Sequence, residues 1–230
     1  MKIILCGGDM PPYYVNKLGR YADRVEVMPG FGGISGATST HPDMLGYAAG
    51  DVLYLSEEYY GRERRFFDSL GCRIEVCPVT FGGYPRDICF NVFAIDGVLY
   101  GRTDMTPPQI TSAYKKLAKV KQGYAKCSAV LLGGGVVTAD RGIAEAVVKN
   151  GGGALLITPG SVALRGYEYG FIGGACAVAE SGTLIPFGDL DEHPDAARIR
   201  SFAAERGYTV DNGRPGDPLL DCGGVLTLNI

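Results

Sequence analysis

The sequence is poor in the residues that most cofactor and metal sites need. It has two histidines and no C-x-x-C pair among seven scattered cysteines, which argues against a structural zinc site. It has no Gly-Lys dipeptide, so no phosphate-binding P-loop, and no G-x-G-x-x-G opens a helix after a strand. No cofactor is expected from these patterns. Uncharged apolar runs stay short of the 18 residues a membrane span requires, and the apolar run at Ile3–Cys6 is too short for a secretion signal. With Lys+Arg 22 against Asp+Glu 25, the net charge of −3 makes nucleic acid and anionic membranes poor partners. An odd number of unpaired cysteines without a secretion signal reads as free thiols in a cytoplasmic protein.

Glycine, by contrast, is abundant: 35 of 230 residues. It has no period of three, and the 46% apolar and 20% charged fractions are globular, so collagen and wholesale disorder are excluded. The excess punctuates a fold. The punctuation repeats as strand, Gly or Asp turn, strand, helix, strand. Hairpins are predicted over 43–55, 87–100, 127–138 and 175–187, turning at Gly50-Asp51, Asp96-Gly97, Gly133-Gly134-Gly135 and Ser181-Gly182. Helices are predicted over 56–70, from Thr106 through Leu117, after an Asp140 cap, and over 195–206. Ile110, Ala113, Tyr114 and Leu117 carry the second of these at helical spacing, with the nearby lysines 115, 116, 119 and 121 as its solvated face. A fifth unit is split: the strand near Val225–Leu228 pairs with the N-terminal strand Lys2–Leu5. The expectation is an α/β fold of five ββαβ-like units over residues 1–230, a single domain closed by its two terminal strands.

Five such units, with two local motifs, resemble the pentein superfamily of guanidino-modifying enzymes, whose fold is a five-bladed β/α propeller. Tyr84-Pro85-Arg86-Asp87 resembles the aromatic-x-Arg-Asp motif whose Asp grips the substrate guanidinium. His41-Pro42-Asp43 resembles the His-x-Asp/Glu motif. Stretches such as Lys121–Ser128, Tyr169–Gly174 and Asp189–Asp195 are similar to an uncharacterised bacterial family within that superfamily. The resemblance implies a small-molecule ligand in an axial pocket and a Cys/His/Asp reaction on a guanidino, amidine or related amide group. A non-catalytic propeller, as in translation initiation factor six, is the alternative, binding a small molecule, a protein or a ribosomal partner. The chain departs from the enzymes in three ways. Leu228 stands where their nucleophilic Cys falls, the His motif precedes the Arg-Asp motif, and no Glu-Gly-Gly-Asp-like segment is present.

Read as chemistry, a guanidinium needs carboxylates, a thiolate to attack its carbon, and an acid for the departing amine. The candidates stand at the starts of successive units. Asp87 and Asp43 are read as cation binders and His41 as acid/base, with Arg86, Lys126 and Tyr169 nearby. The nucleophile is left open between Cys127, which Lys126 is expected to activate, and Cys222. His193-Pro194-Asp195 reads as a helix cap, whereas His41 is expected to precede a strand directly. Cys72, Cys77 and Cys89 read as core. No metal ligand set is apparent.

Overall fold

The computed structural model describes residues 1–34 and 36–230. The chain opens with β1 (Lys2–Cys6), α1 (Pro12–Leu18) and β2 (Arg24–Val27). One helical turn, α2 (Pro42–Leu45), leads into β3 (Gly46–Ala49), β4 (Val52–Ser56), α3 (Glu57–Arg62), α4 (Arg64–Asp68) and β5 (Arg73–Cys77). Next come β6 (Phe93–Ile95), β7 (Val98–Gly101), α5 (Pro108–Thr111) and β8 (Lys116–Lys119). Then follow β9 (Ala129–Leu132), β10 (Gly135–Thr138), α6 (Arg141–Lys149), β11 (Gly153–Leu156) and β12 (Val162–Ala163). The last stretch holds β13 (Cys176–Ala179), β14 (Thr183–Pro186), α7 (Ala196–Ala204), β15 (Thr209–Val210), β16 (Leu219–Leu220) and β17 (Val225–Asn229).

Among the described residues these strands form five three-stranded sheets of one design, β3-β4-β5, β6-β7-β8, β9-β10-β11, β13-β14-β15 and β17-β1-β2. In each, the first strand runs antiparallel to the second and the second runs parallel to the third. A helix crosses between second and third, as a parallel pair requires. In the last sheet Lys2 faces Asn229 and Cys6 faces Val225, so the chain's two ends share one sheet. A separate short pair joins β12 to β16.

Burial explains the strand sequences. Four of the middle strands, β4, β7, β10 and β14, are buried at every position, which is why they read as unbroken apolar runs. The third strands are more exposed, and β8 carries Lys116 and Lys119, charges that suit a sheet edge. The first strands of all five sheets, β3, β6, β9, β13 and β17, line one cavity of about 510 Å³, with Lys126 as its charged side chain.

Two predicted helices differ. Residues 56–70 break at Glu63 into α3 and α4. The helical spacing from Ile110 to Leu117 yields the single turn α5, after which Leu117 lies exposed in β8. From Val98 to Val136, the starts of successive second strands as expected from sequence, there are only 38 residues (136 − 98), against 46 for Val52 to Val98. A third strand must fit in that interval, which leaves room for one helical turn. Thr106 does not cap it; Pro107 holds that place, and the Thr106 hydroxyl donates to the Arg102 carbonyl.

Asp140 does cap α6, accepting the Ile143 amide at 2.8 Å, and its other oxygen accepts from Gln122 at 3.2 Å. Asp140→Ala is expected to cost about 1–2 kcal/mol of stability in urea denaturation; a loss below a few tenths would mean water replaces the cap.

Candidate functional site

The five sheets place five residues at one equivalent position, two before each first strand: Met44, Asn91, Cys127, Gly174 and Gly223. Two of them, Met44 and Cys127, line a cavity of about 280 Å³ together with His41, Asp87, Tyr124, Asp221 and residues of the loop after β12.

Asn91 ties the knot. Its amide oxygen accepts the backbone N–H of Lys126 at 2.8 Å and of Cys127 at 3.2 Å. Its amide nitrogen lies 3.1 Å from the Asp43 carbonyl, 3.0 Å from the Cys127 sulfur and 3.3 Å from the Met44 sulfur. The Cys127 thiol in turn donates to Asp43 Oδ2 at 3.0 Å. Three consecutive units are thereby joined through one buried amide and one buried carboxylate.

The glycines of the ring are spaces. Gly223 has φ +74°, and a Cβ there would strike the Cβ of His41; at Gly174 a Cβ would strike the Asp221 carboxylate. Asp221 is held by the backbone, accepting from Phe171 N–H at 2.8 Å and Gly223 N–H at 3.0 Å. His41 sits between two carboxylates, with Nε2 3.5 Å from Asp9 Oδ2 and Nδ1 3.7 Å from Asp221 Oδ1. Among the described residues, neither of its nitrogens has a hydrogen-bond partner, nor do Asp43 Oδ1 and Asp87 Oδ1, although all four atoms are buried. Asp87 Oδ2 accepts the Tyr124 hydroxyl at 3.0 Å. A fold seldom leaves buried polar atoms open, and of these residues His41 and Asp87 line the cavity.

Charge follows from this packing. Burial pushes Asp43 up to about 6, with His41 opposing the shift and Asp221 adding to it. The Cys127 thiol is pushed well above its ordinary value by burial and by the Asp43 and Asp221 charges. Burial pulls His41 down, but Asp9, Asp43 and Asp221 outweigh it and hold the imidazole's pKa above the usual value. Burial also disfavours the Asp9 charge, yet its contacts with His41 and Thr40 leave its carboxyl below the ordinary range.

Several expectations change at this point. Lys126 lines the cavity of about 510 Å³ rather than this one, and Cys127 is not activated by it but held protonated against Asp43. Cys222 packs with Cys6, Met10, Tyr14 and Phe187 in an apolar cluster and does not line the site. Arg86 is exposed, with its guanidinium over Gly82 rather than on Asp87. His41 precedes the turn α2, not a strand, but makes no side-chain cap bond there. Asp87 lines the cavity, Asp43 lies behind Cys127 and contacts its thiol, and Tyr169, 42% exposed, stands at the rim beside Phe171. Leu228 is buried on β17 opposite Ile3. Asn91, Asp9 and Tyr124 were not singled out as site residues by sequence; Asn91 shares Cys127's place in its unit, and that offset was the available signal. Among the described residues no group of three His, Cys, Asp or Glu is placed to hold a metal, and no helix is long and apolar enough to cross a membrane.

The same architecture occurs in solved enzymes. Dimethylarginine dimethylaminohydrolase from Pseudomonas aeruginosa, a cysteine-to-serine mutant complexed with citrulline, superposes with a TM-score of 0.56 over 99% of this chain and 98% of its own, at 10% identity. The N-terminal domain of ArgZ, covalently bound to a reaction intermediate, gives 0.57 over 99% and 97%, at 15% identity. A dimethylarginine dimethylaminohydrolase adduct with 4-chloro-2-hydroxymethylpyridine gives 0.57 over 91% of each chain, at 12% identity. The fold is therefore pentein-like. Within it, residues 6–226 match a family of unknown function, DUF6873, and the chain belongs to that family. The sequence matches no curated protein.

Removing the buried charge tests the site's electrostatics. Asp43 takes up a proton near pH 6 when folded but near its ordinary 3.8 when unfolded, so between those values the folded state binds more protons and stability falls as pH rises. Asp43→Asn keeps an oxygen to accept from Cys127. It is expected to lose roughly 2–3 kcal/mol less than the unaltered protein between about pH 4 and 7.5 in urea denaturation. Equal losses would show that Asp43 does not titrate there.

Proposed function

We propose that the protein is a single five-bladed β/α propeller over residues 1–230, and that its carboxylate-lined cavity is an active site for a guanidino, amidine or related amide group. The lining of one cavity by the first strands of all five sheets supports the ring. The observation that carries the chemistry is the Cys127 thiol, hydrogen-bonded to the buried Asp43 carboxylate in a cavity that also holds Asp87 and His41.

Asp87 lines the cavity with an unpaired oxygen for a bound cation, while the Asp43 carboxylate lies behind Cys127. Once a guanidinium lies at Asp87, its positive charge offsets the carboxylates that keep the thiol protonated. Asp43 then accepts the S–H proton along the existing hydrogen bond, and Cys127 Sγ attacks the central guanidino carbon. The C–N bond to the leaving amine breaks, with His41 as the imidazolium supplying the amine's proton. Water adds to the resulting S-linked amidine with His41 as base, the C–S bond breaks, and the thiolate regains its proton from Asp43. The products are an amine and a urea-type group, with no redox change. Cys222, in its apolar cluster, is left without a role, and Tyr169 walls the cavity. The soluble, cytoplasmic setting expected from sequence accords with a free thiol nucleophile.

A binding-only propeller is favoured by Leu228, which replaces the nucleophile of the enzymes this chain resembles. One experiment separates the two readings. The protein is treated with a haloacetamidine or with its neutral haloacetamide analogue, and labelled cysteines are mapped by mass spectrometry. Cys127 is expected to be labelled preferentially by the amidine. Asp87→Asn and His41→Ala are expected to slow that labelling at least about tenfold, since a hydrogen bond to a charged group is worth ~1.5–3 kcal/mol. Labelling that ignores both substitutions, or falls elsewhere, sinks the catalytic reading.

A further inference from the structure

The charges lining the cavity also speak to the rest of its ligand. Asp87 and Asp221 line its depth, the Asp43 carboxylate lies behind Cys127, and Glu168 stands at the rim. The basic residues near in sequence are all turned elsewhere. Arg86 folds over Gly82, Arg165 is exposed and outside the lining, and Lys126 lines the other cavity. Among the described residues, His41 is the one basic side chain at the wall, and it already faces Asp9 and Asp221. A ligand carboxylate brought into this cavity would meet carboxylates and no guanidinium or ammonium to pair with, which is costly for a desolvated charge.

The rim offers the opposite complement. The loop after β12 is pinned at its base, with Gly170 N–H donating to the Val162 carbonyl at 2.7 Å and Tyr167 N–H to the Leu164 carbonyl at 3.2 Å. It presents Tyr167, Glu168 and Tyr169, with the two rings 54% and 42% exposed. Glu168 makes no ion pair among the described residues. A carboxylate and two exposed tyrosines lining one rim suit an ammonium group, through charge and through cation–π attraction. Between depth and rim, Leu164 and Phe171 supply apolar wall for an alkyl linker.

We infer that the ligand is a carboxylate-free dication, an aminoalkyl guanidine or amidine whose guanidinium lies at Asp87 and whose ammonium lies at Glu168 between Tyr167 and Tyr169. This rests on the guanidino reading of the same cavity and excludes α-amino acids from it.

The test uses the full chain carrying Cys127→Ser, so that binding is read without turnover. Calorimetry compares 4-aminobutylguanidine, butylguanidine and L-arginine. The first is expected to bind about tenfold more tightly than butylguanidine, with L-arginine the weakest of the three. Adding Glu168→Gln, an exposed substitution, is expected to bring the first two within about threefold of one another. L-Arginine binding as tightly as 4-aminobutylguanidine, or a preference untouched by Glu168→Gln, overturns the dication while leaving the guanidino reading standing. Binding of none of the three overturns both.

Discussion

The Asp43 carboxylate is fully buried, and what surrounds it determines the rest of the site. One oxygen accepts the Cys127 thiol, the other is unpaired, and His41 and Asp221 pull its charge in opposite directions. A carboxylate in that position is tolerated only because neighbours share its cost: a thiol that donates, an imidazole raised by three acids, and an asparagine amide that fixes both ends of the contact. With burial, the same carboxylate holds the thiol protonated, which limits adventitious alkylation or oxidation of a cysteine that lines a cavity.

The fold makes this arrangement by repetition. Each sheet has its own residue two positions before the first strand, and these five carry unlike chemistry: a thioether, an amide, a thiol and two glycines. Gly174 and Gly223 are the space into which Asp221 and His41 fit. A repeated backbone with unlike residues at one register is an economical way to build an asymmetric pocket from sheets of one design.

Much of the scaffold was legible because its signals are local. Gly50, Asp96-Gly97 and Gly133-Gly134 mark hairpins through positive φ, and Asp140 announces α6 through its side chain. The one-turn helix α5 was not legible, since Ile110 to Leu117 has helical spacing and only the short interval to the next unit cuts it off. At the site, the carboxylates Asp43 and Asp87 and the thiol Cys127 were readable as chemistry, but their pairing was not. Lys126 adjoins Cys127 in sequence yet lines another cavity, whereas Asp43, 84 residues away, holds the thiol. Side-chain direction at a strand entry depends on the ring's closure, which neighbouring residues do not encode. Cys222 illustrates the same point, beside Asp221 in sequence and in a different cluster in space.

The sheet shared by β1 and β17 has a consequence for assembly. Lys2 pairs with Asn229, so the central strand of that sheet waits for a partner 227 residues later (229 − 2). Until then Ile3 and Leu5, both fully buried in the native state, belong to a strand with one open edge. Closing so long a loop is the least local of the strand pairings and carries the largest loop-closure entropy. It is also the step that brings Asp221 and Gly223 up to His41. The shape of the cavity therefore depends on the pairing of the two terminal strands, although the thiol and its carboxylate both lie in the middle of the chain.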